Sequence, residues 1–285
     1  MRTYLSIDFD FFAPEDPMDD WAHRESGLFI DSIWGIRAAQ EFARGIDPEQ
    51  RHPLTQDSPT PGEFAKWLKG LGYKIDKRTR IVVDESHLWA FGTFLEDAKR
   101  RNEQANIVHF DAHHDFGYRD DSDEIAQAAV KELQTKGTTD KLDCSDWLLG
   151  LMYMFPRRFA VTWGYPKWRG LDEWVHGKQR KRWSTRLLRE AAAAVVLPGT
   201  EDQFREKAGH VDQLFICRSG AWVPPWHDPK FIAFVTSFGQ PFFEGPNKCF
   251  RLRKWDRAEA QAAGERQRKV MESMREEMKG KGVIL

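Results

Sequence analysis

Five apolar runs of strand length, at residues 4–9, 80–83, 106–110, 159–163 and 213–217, recur along the chain with helix-length stretches between them. A strand that is apolar at nearly every position needs cover on both faces, and a strand followed by a helix returns to pair in parallel. The alternation predicts a three-layer α/β/α fold around a mainly parallel sheet. Helices are expected over 27–43, 62–71, 88–101, 123–134, 145–154, 186–195 and 229–237, with Pro61 suited to a helix start and Asp143 or Ser145 to a cap. The proline-rich stretch 47–61 reads as a long surface loop. No repeat or linker divides the 285 residues, so a single domain over 1–285 is expected. It ends in a densely charged helix at about 256–279 that docks by a stripe of Val270, Met271, Met274 and Met278.

Charge and composition narrow the function. With 43 Lys+Arg against 44 Asp+Glu there is no basic field for tracking nucleic acid, so nucleic acid is not expected as a partner. Hydrophobic residues at 41% supply a packed core. No apolar run reaches the roughly 20 residues of a membrane helix, and the first residues do not read as a secretory signal, so no membrane partner and a cytoplasmic location are expected. Cys144, Cys217 and Cys249 are odd in number and far apart, which argues for plain thiols.

Three motifs carry chemistry. Ser6-Ile7-Asp8-Phe9-Asp10 puts two carboxylates, two residues apart, into an apolar strand, where they would share a face. Buried carboxylates need a cation beside them, either a metal or an Arg/Lys partner. His109-Phe110-Asp111-Ala112-His113-His114-Asp115 ends another strand with Asp, His and Asp at alternate positions, a donor set suited to a divalent transition metal. His109 and His114 are read as turned away, His109 into the core or behind the ligands and His114 at the rim or beside the metals. Asp84-Glu85-Ser86-His87 follows a third strand and adds an imidazole. Open α/β sheets gather their sites at the carboxyl ends of strands, where all three motifs fall. Asp8, Asp10, His87, Asp111, His113 and Asp115 exceed what one catalytic zinc uses, so two metals sharing carboxylates fit better.

Asp111-Ala112-His113-His114-Asp115 resembles the Asp-Ala-His-x-Asp motif of the arginase, or ureohydrolase, superfamily, and Ser6-Ile7-Asp8-Phe9-Asp10 resembles its Ser-x-Asp-x-Asp motif. The resemblance rests on about fifteen residues. It implies an arginase/deacetylase-like fold and two Mn²⁺ ions, with Asp8 and Asp111 bridging, His87 and Asp115 completing one position, and His113 and Asp10 the other. The Ser-x-Asp-x-Asp strand comes first here, whereas ordinary arginases have it second. This permuted order is similar to the branch containing the peptide arginases, which convert arginine within a ribosomally made peptide to ornithine, releasing urea. An arginine-containing peptide is then the expected substrate, and a homo-oligomer is an open expectation.

Asp111, His113, Asp146, Glu85 and His114 are the candidate catalytic residues, and Glu85, Asp146, Trp147, Arg218, Ser219 and Trp222 the candidate substrate contacts. Glu85 and Asp146 compete as guanidinium clamp, with a second-row or solvated role for Glu85 and a helix cap for Asp146 as the plain alternatives. Trp147, Trp163, Trp222 and Trp226 are candidate walls of a cleft, and the basic run 178–182 is read as a solvated face. Two rival functions stand beside this one: a metal-dependent amide hydrolase or deacetylase, and a non-catalytic metal-containing peptide-binding protein.

Overall fold

A computed structural model gives the structure of the chain and describes residues 1–14, 27–113, 115–117, 121–168, 194–196 and 200–281. Its centre is a seven-stranded sheet in which every pairing is parallel. The strands are β1 (Arg2–Asp8), β2 (Arg80–Asp84), β3 (Ala105–Phe110), β4 (Phe159–Gly164), β5 (Ala194–Val196), β6 (Gln213–Cys217) and β7 (Phe243–Glu244), in the order β5-β4-β3-β1-β6-β2-β7. The helices are α1 (Gly27–Ala43), α2 (Pro48–Arg51), α3 (Pro61–Leu71), α4 (Leu88–Arg100), α5 (Ser122–Lys136), α6 (Trp147–Met154), α7 (Glu201–Glu206), α8 (Asp228–Ser237) and α9 (Arg257–Gly280).

Alternation along each strand sorts the core into two layers. Leu5 and Ile7 of β1, Val108 and Phe110 of β3, and Leu214 and Ile216 of β6 face one way, onto Phe64 and Leu68 of α3 and Phe231 and Phe234 of α8. Tyr4, Ile107, Phe215 and Cys217 face the other way, onto Phe94 of α4 and Trp147, Leu148 and Leu151 of α6. The expected layered α/β arrangement is therefore present. Local signals set the helix ends: Pro61 opens α3, the Glu63 carboxylate accepts from the Thr60 amide at 3.0 Å, and Gly72 at φ +104° closes the helix.

Several boundaries differ from the sequence reading. Strand β1 stops at Asp8, and Phe9–Phe12 form a 3-10 turn because the Asp8 side chain accepts from the Asp10 amide at 3.0 Å. The stretch 47–61 contains α2, started by Asp47 and Pro48. Helix α7 and strands β5 and β7 were not anticipated. Of the helix expected over 186–195, residues 186–193 lie outside the described residues, and 194–196 form β5. Helix α9 docks on α1 through Ala260 and Gly264, since a Cβ on Gly264 would stand 2.6 Å from that of Phe42; Val270, Met271 and Met274, expected to dock, are exposed. None of the three cysteines forms a disulfide. Among the described residues no helix is long and apolar enough to cross a membrane.

Candidate metal centre

The three motifs meet at the carboxyl end of the sheet. Asp8 closes β1 and Asp10 follows in the 3-10 turn, while β3, directly beside β1, carries His109 and leads into Asp111, His113 and Asp115. His87 comes from β2, two strands away, with β6 between. It crosses that gap over Phe215, whose ring it stacks on at 5.7 Å and 17°. The turn that aims it is set by Asp84, which accepts from the amides of Glu85 at 2.6 Å and Ser86 at 3.2 Å. Gly245 packs so close to this turn that a Cβ would fall 1.9 Å from Asp84 Oδ2, so only glycine fits there.

The donors converge. His87 Nδ1 lies 3.0 Å from Asp8 Oδ2, 2.9 Å from Asp111 Oδ2 and 3.4 Å from Asp115 Oδ2. His109 Nε2 stands 3.2 Å from Asp111 Oδ2 and 3.6 Å from Asp115 Oδ2. A second group forms beside it, with His113 Nδ1 at 3.0 Å from Asp10 Oδ2 and 3.5 Å from Asp111 Oδ1. Asp111 thus presents one oxygen to each group. Every member is buried except His113, whose side chain keeps 18% of its exposure and marks the open side.

The surroundings hold these carboxylates in place. Ser219 Oγ donates to Asp8 Oδ2 at 2.5 Å, Trp147 Nε1 to Asp115 Oδ2 at 2.5 Å, and Trp163 Nε1 to the Asp111 carbonyl at 3.0 Å. Asp115 and Ser219 adopt left-handed backbone conformations, φ +55° and φ +50°, which non-glycine residues hold at a cost of about 1–2 kcal/mol when packing enforces them. For Asp115 the left-handed turn breaks the strand period and lets its carboxylate face His87.

Charge is the unresolved quantity. Four buried carboxylates are collected, and among the described residues no lysine or arginine pairs with them. Burial, with the charges of Asp8 and Asp111, pushes the Asp10 carboxyl well above its usual range, and burial with Asp111 does the same to Asp115. Burial works against a charged His87, but hydrogen bonds and charge from Asp111 and Asp8 outweigh it and hold its pKa well above normal. Burial likewise opposes the Asp111 charge, yet the imidazoles around it keep its pKa well below the usual value. Protons alone therefore balance the cluster only partly, which suits it to divalent cations. Both ring nitrogens of His109 are buried and, among the described residues, without a hydrogen bond of ordinary geometry, which is compatible with a cation site. The cluster could hold metal ions, and the six residues expected as ligands are brought together.

The other expected site residues go elsewhere. Glu85, a candidate clamp for a substrate guanidinium, already holds one from its own chain: its Oε2 accepts from Arg218 Nε at 2.8 Å and from Arg218 Nη2, and its Oε1 from the Gly220 amide at 2.8 Å. Arg218 is buried and also bonds Asp228, so neither residue faces a ligand. Asp146 is fully buried, with Oδ1 accepting from the Asp143 amide at 2.9 Å. Trp147 and Trp163 brace ligands rather than line a cleft, and Ser219 touches Asp8. Trp222 is half-buried with its ring 5.1 Å from that of His113, beside the opening. Trp226 packs on Trp34 and Trp255. His114 and the basic run 178–182 lie outside the described residues.

One residue was misplaced by the sequence reading. His109, read as turned away from Asp111, joins the inner group. The signal was available: residues 109 and 111 share parity, so a period of two puts them on one face. A separate cavity of about 270 Å³, lined by Phe110, Phe11, Trp67, Trp168 and Asp57, is bordered by side chains of the opposite core layer and does not include the cluster. No protein-family model matches the chain, and comparisons with curated proteins and with solved structures find no match either.

Proposed function

We propose that the chain is a binuclear metal hydrolase of the arginase type that converts arginine within a peptide to ornithine, releasing urea. The observation that carries the reading is Asp111, whose two oxygens serve two adjoining donor groups, His87, His109 and Asp115 on one side and Asp10 and His113 on the other. A shared carboxylate is what a metal pair requires, and a single closed structural site has no use for it. Asp8 supports the same reading, with Oδ2 at His87 and Oδ1 fixing Asp10. Bound divalent ions would supply Lewis acidity and make water a stronger acid near neutral pH.

The chain's own groups do the rest. The buried donors are held by hydrogen bonds from Ser219, Trp147 and the backbone amides of Ala112 and His113, so their geometry does not have to form when substrate arrives. Trp222 beside His113 offers an aromatic face for a planar cation at the open side. With Glu85 neutralised by Arg218, the acids that attract a guanidinium are those of the cluster itself. A deacetylase reading needs one metal position and leaves Asp10 and His113 without a purpose.

The test is mass spectrometry of an N-acetylated, C-amidated arginine peptide incubated with the Mn²⁺-loaded chain, run beside free arginine. The expected product has lost CH₂N₂, with urea in equal amount, and forms faster from the peptide than free arginine is turned over. A chain that carries two ions and leaves every arginine peptide intact would overturn the reading, and a preference for free arginine would return it to ordinary arginase activity.

A further inference from the structure

The two donor groups are not alike, and the difference lies in a residue outside the six expected ligands. His109 is wholly buried in β3, wedged between the edge of Trp147 at 5.6 Å and the ring of His87 at 4.9 Å. A buried neutral imidazole has one donor and one acceptor to satisfy, and each left unmade is destabilising. Among the described residues neither ring nitrogen has a hydrogen bond of ordinary geometry. Nε2 is nevertheless 3.2 Å from Asp111 Oδ2 and 3.6 Å from Asp115 Oδ2, near enough to bond had the ring been turned for it. The nitrogen and these oxygens therefore border one common space.

Their spacing is that of ligands. Around an ion with bonds of about 2.1 Å, neighbouring donors stand roughly 3.0 Å apart in an octahedron and 3.4 Å in a tetrahedron. The nitrogen-to-oxygen separations, from His87 Nδ1 to Asp8, Asp111 and Asp115 and from His109 Nε2 to Asp111 and Asp115, run from 2.9 to 3.6 Å. The outer group, Asp10, Asp111 and His113, has one imidazole and is otherwise oxygen, at the half-open edge.

We propose that His109 is a seventh metal ligand, and that the two imidazoles it completes make the inner position select a borderline ion such as Zn²⁺ or Co²⁺ while the outer position takes Mn²⁺. Nitrogen donors favour the later first-row ions, and oxygen donors suit Mn²⁺. The inference rests on the metal-binding part of the reading above and not on the reaction.

X-ray absorption of the full chain loaded with one equivalent of Zn²⁺ counts the imidazoles on the first ion bound, and competition with Mn²⁺ measures selectivity. Two imidazoles are expected in the wild type and one in His109→Phe, whose Zn²⁺ affinity should fall at least about tenfold while one Mn²⁺ is still taken up. His109→Gln provides a second variant, with far-UV circular dichroism confirming the fold of each. A wild-type count of one, or a count unchanged in a folded His109 variant, would overturn this proposal alone. A wild-type chain that takes up no ion would overturn both this proposal and the metal-centre reading.

Discussion

Two buried collections of charge lie side by side at the carboxyl ends of β1, β2, β3 and β6, and they are solved in opposite ways. In the first, Arg253 grips Asp228 through Nη2 at 2.6 Å and Nε at 3.1 Å, and Arg218 joins Asp228 at 3.3 Å to Glu85. Spare guanidinium hydrogens go to the carbonyls of Gly220, Val223 and Arg251. Two guanidinium groups meet two carboxylates, so the set is neutral and hydrogen-bonded from within. In the second, the ion-pair partners of Asp8, Asp10, Asp111 and Asp115 among the described residues are imidazoles. A buried acid cluster that brings its own arginines is a strut, whereas one without them among the described residues is suited to a cation from outside. The two touch at residues 219–220, where the Gly220 amide donates to Glu85 and Ser219 to Asp8, so the strut holds part of the site.

The largest expected effect tests this contrast directly. Arg253→Met should destabilise the chain by about 3–5 kcal/mol in urea denaturation, because it leaves two buried carboxylates, Asp228 and Glu85, sharing the single guanidinium of Arg218. Asp10→Asn should do the reverse in the metal-free chain, leaving stability equal or higher as repulsion from Asp8 and Asp111 is relieved, while metal uptake at the outer group is lost. If both variants lost the same stability without metal, the distinction between the two clusters would collapse.

Next in size is the effect of the ion itself. A divalent ion at a hundredfold above its dissociation constant should stabilise the native chain by about 2.7 kcal/mol, reversed by a chelator. Asp8→Asn should abolish the gain, whereas Glu85→Gln should keep it and lose stability instead. A gain surviving in Asp8→Asn would remove Asp8 from the ligands.

A smaller effect is in the pH dependence. Asp10, Asp115 and His87 all have folded-state pKa values above their ordinary ones, 3.8 for the acids and 6.5 for the histidine. Such groups stabilise the fold below the ordinary value, and that contribution is lost as pH rises through the raised one. Asp111 runs the other way with its window below 3.8, outside the range tested, and His109 and His227, whose pKa values burial lowers from 6.5, oppose the trend within it. Between pH 5 and pH 8 the urea midpoint of the metal-free chain should therefore shift downward relative to that of the metal-loaded chain, since metal binding releases the protons of Asp10, Asp115 and His87. Parallel pH profiles with and without metal would contradict the assignment.

The smallest effect concerns the braces. Trp147→Phe keeps the ring and removes the Nε1 hydrogen that Asp115 accepts, so metal affinity should fall about tenfold with the fold unchanged. Calorimetric titration of the folded variant checks it, and an unaltered affinity would make Trp147 packing alone.

Much of this was legible in the residues. The apolar runs placed five of the seven strands, because strands covered on both faces leave a continuous hydrophobic signature. Strands β5 and β7, of three and two residues, leave none, and β7 exists through neighbours that let Gly245 approach Asp84. The six expected ligands could be chosen because carboxylates and imidazoles in apolar surroundings are costly wherever the chain folds. His109 was within reach by parity and was missed.

Residue chemistry and spacing determined that this chain would build a layered sheet and would carry acids and imidazoles at its strand ends. Which acids have no lysine or arginine partner among the described residues was decided only by the fold. Glu85 and Asp8 are both carboxylates at the end of an apolar strand, and nothing local distinguishes them. Glu85 is neutralised because β6 runs beside β2 and delivers Arg218 to it, while the place beside Asp8 is taken by Ser219, one residue on, whose left-handed backbone turns a hydroxyl and not a guanidinium toward it. Charge balance in an interior depends on distances of a few ångströms between segments more than a hundred residues apart, and the order of strands in the sheet sets those distances.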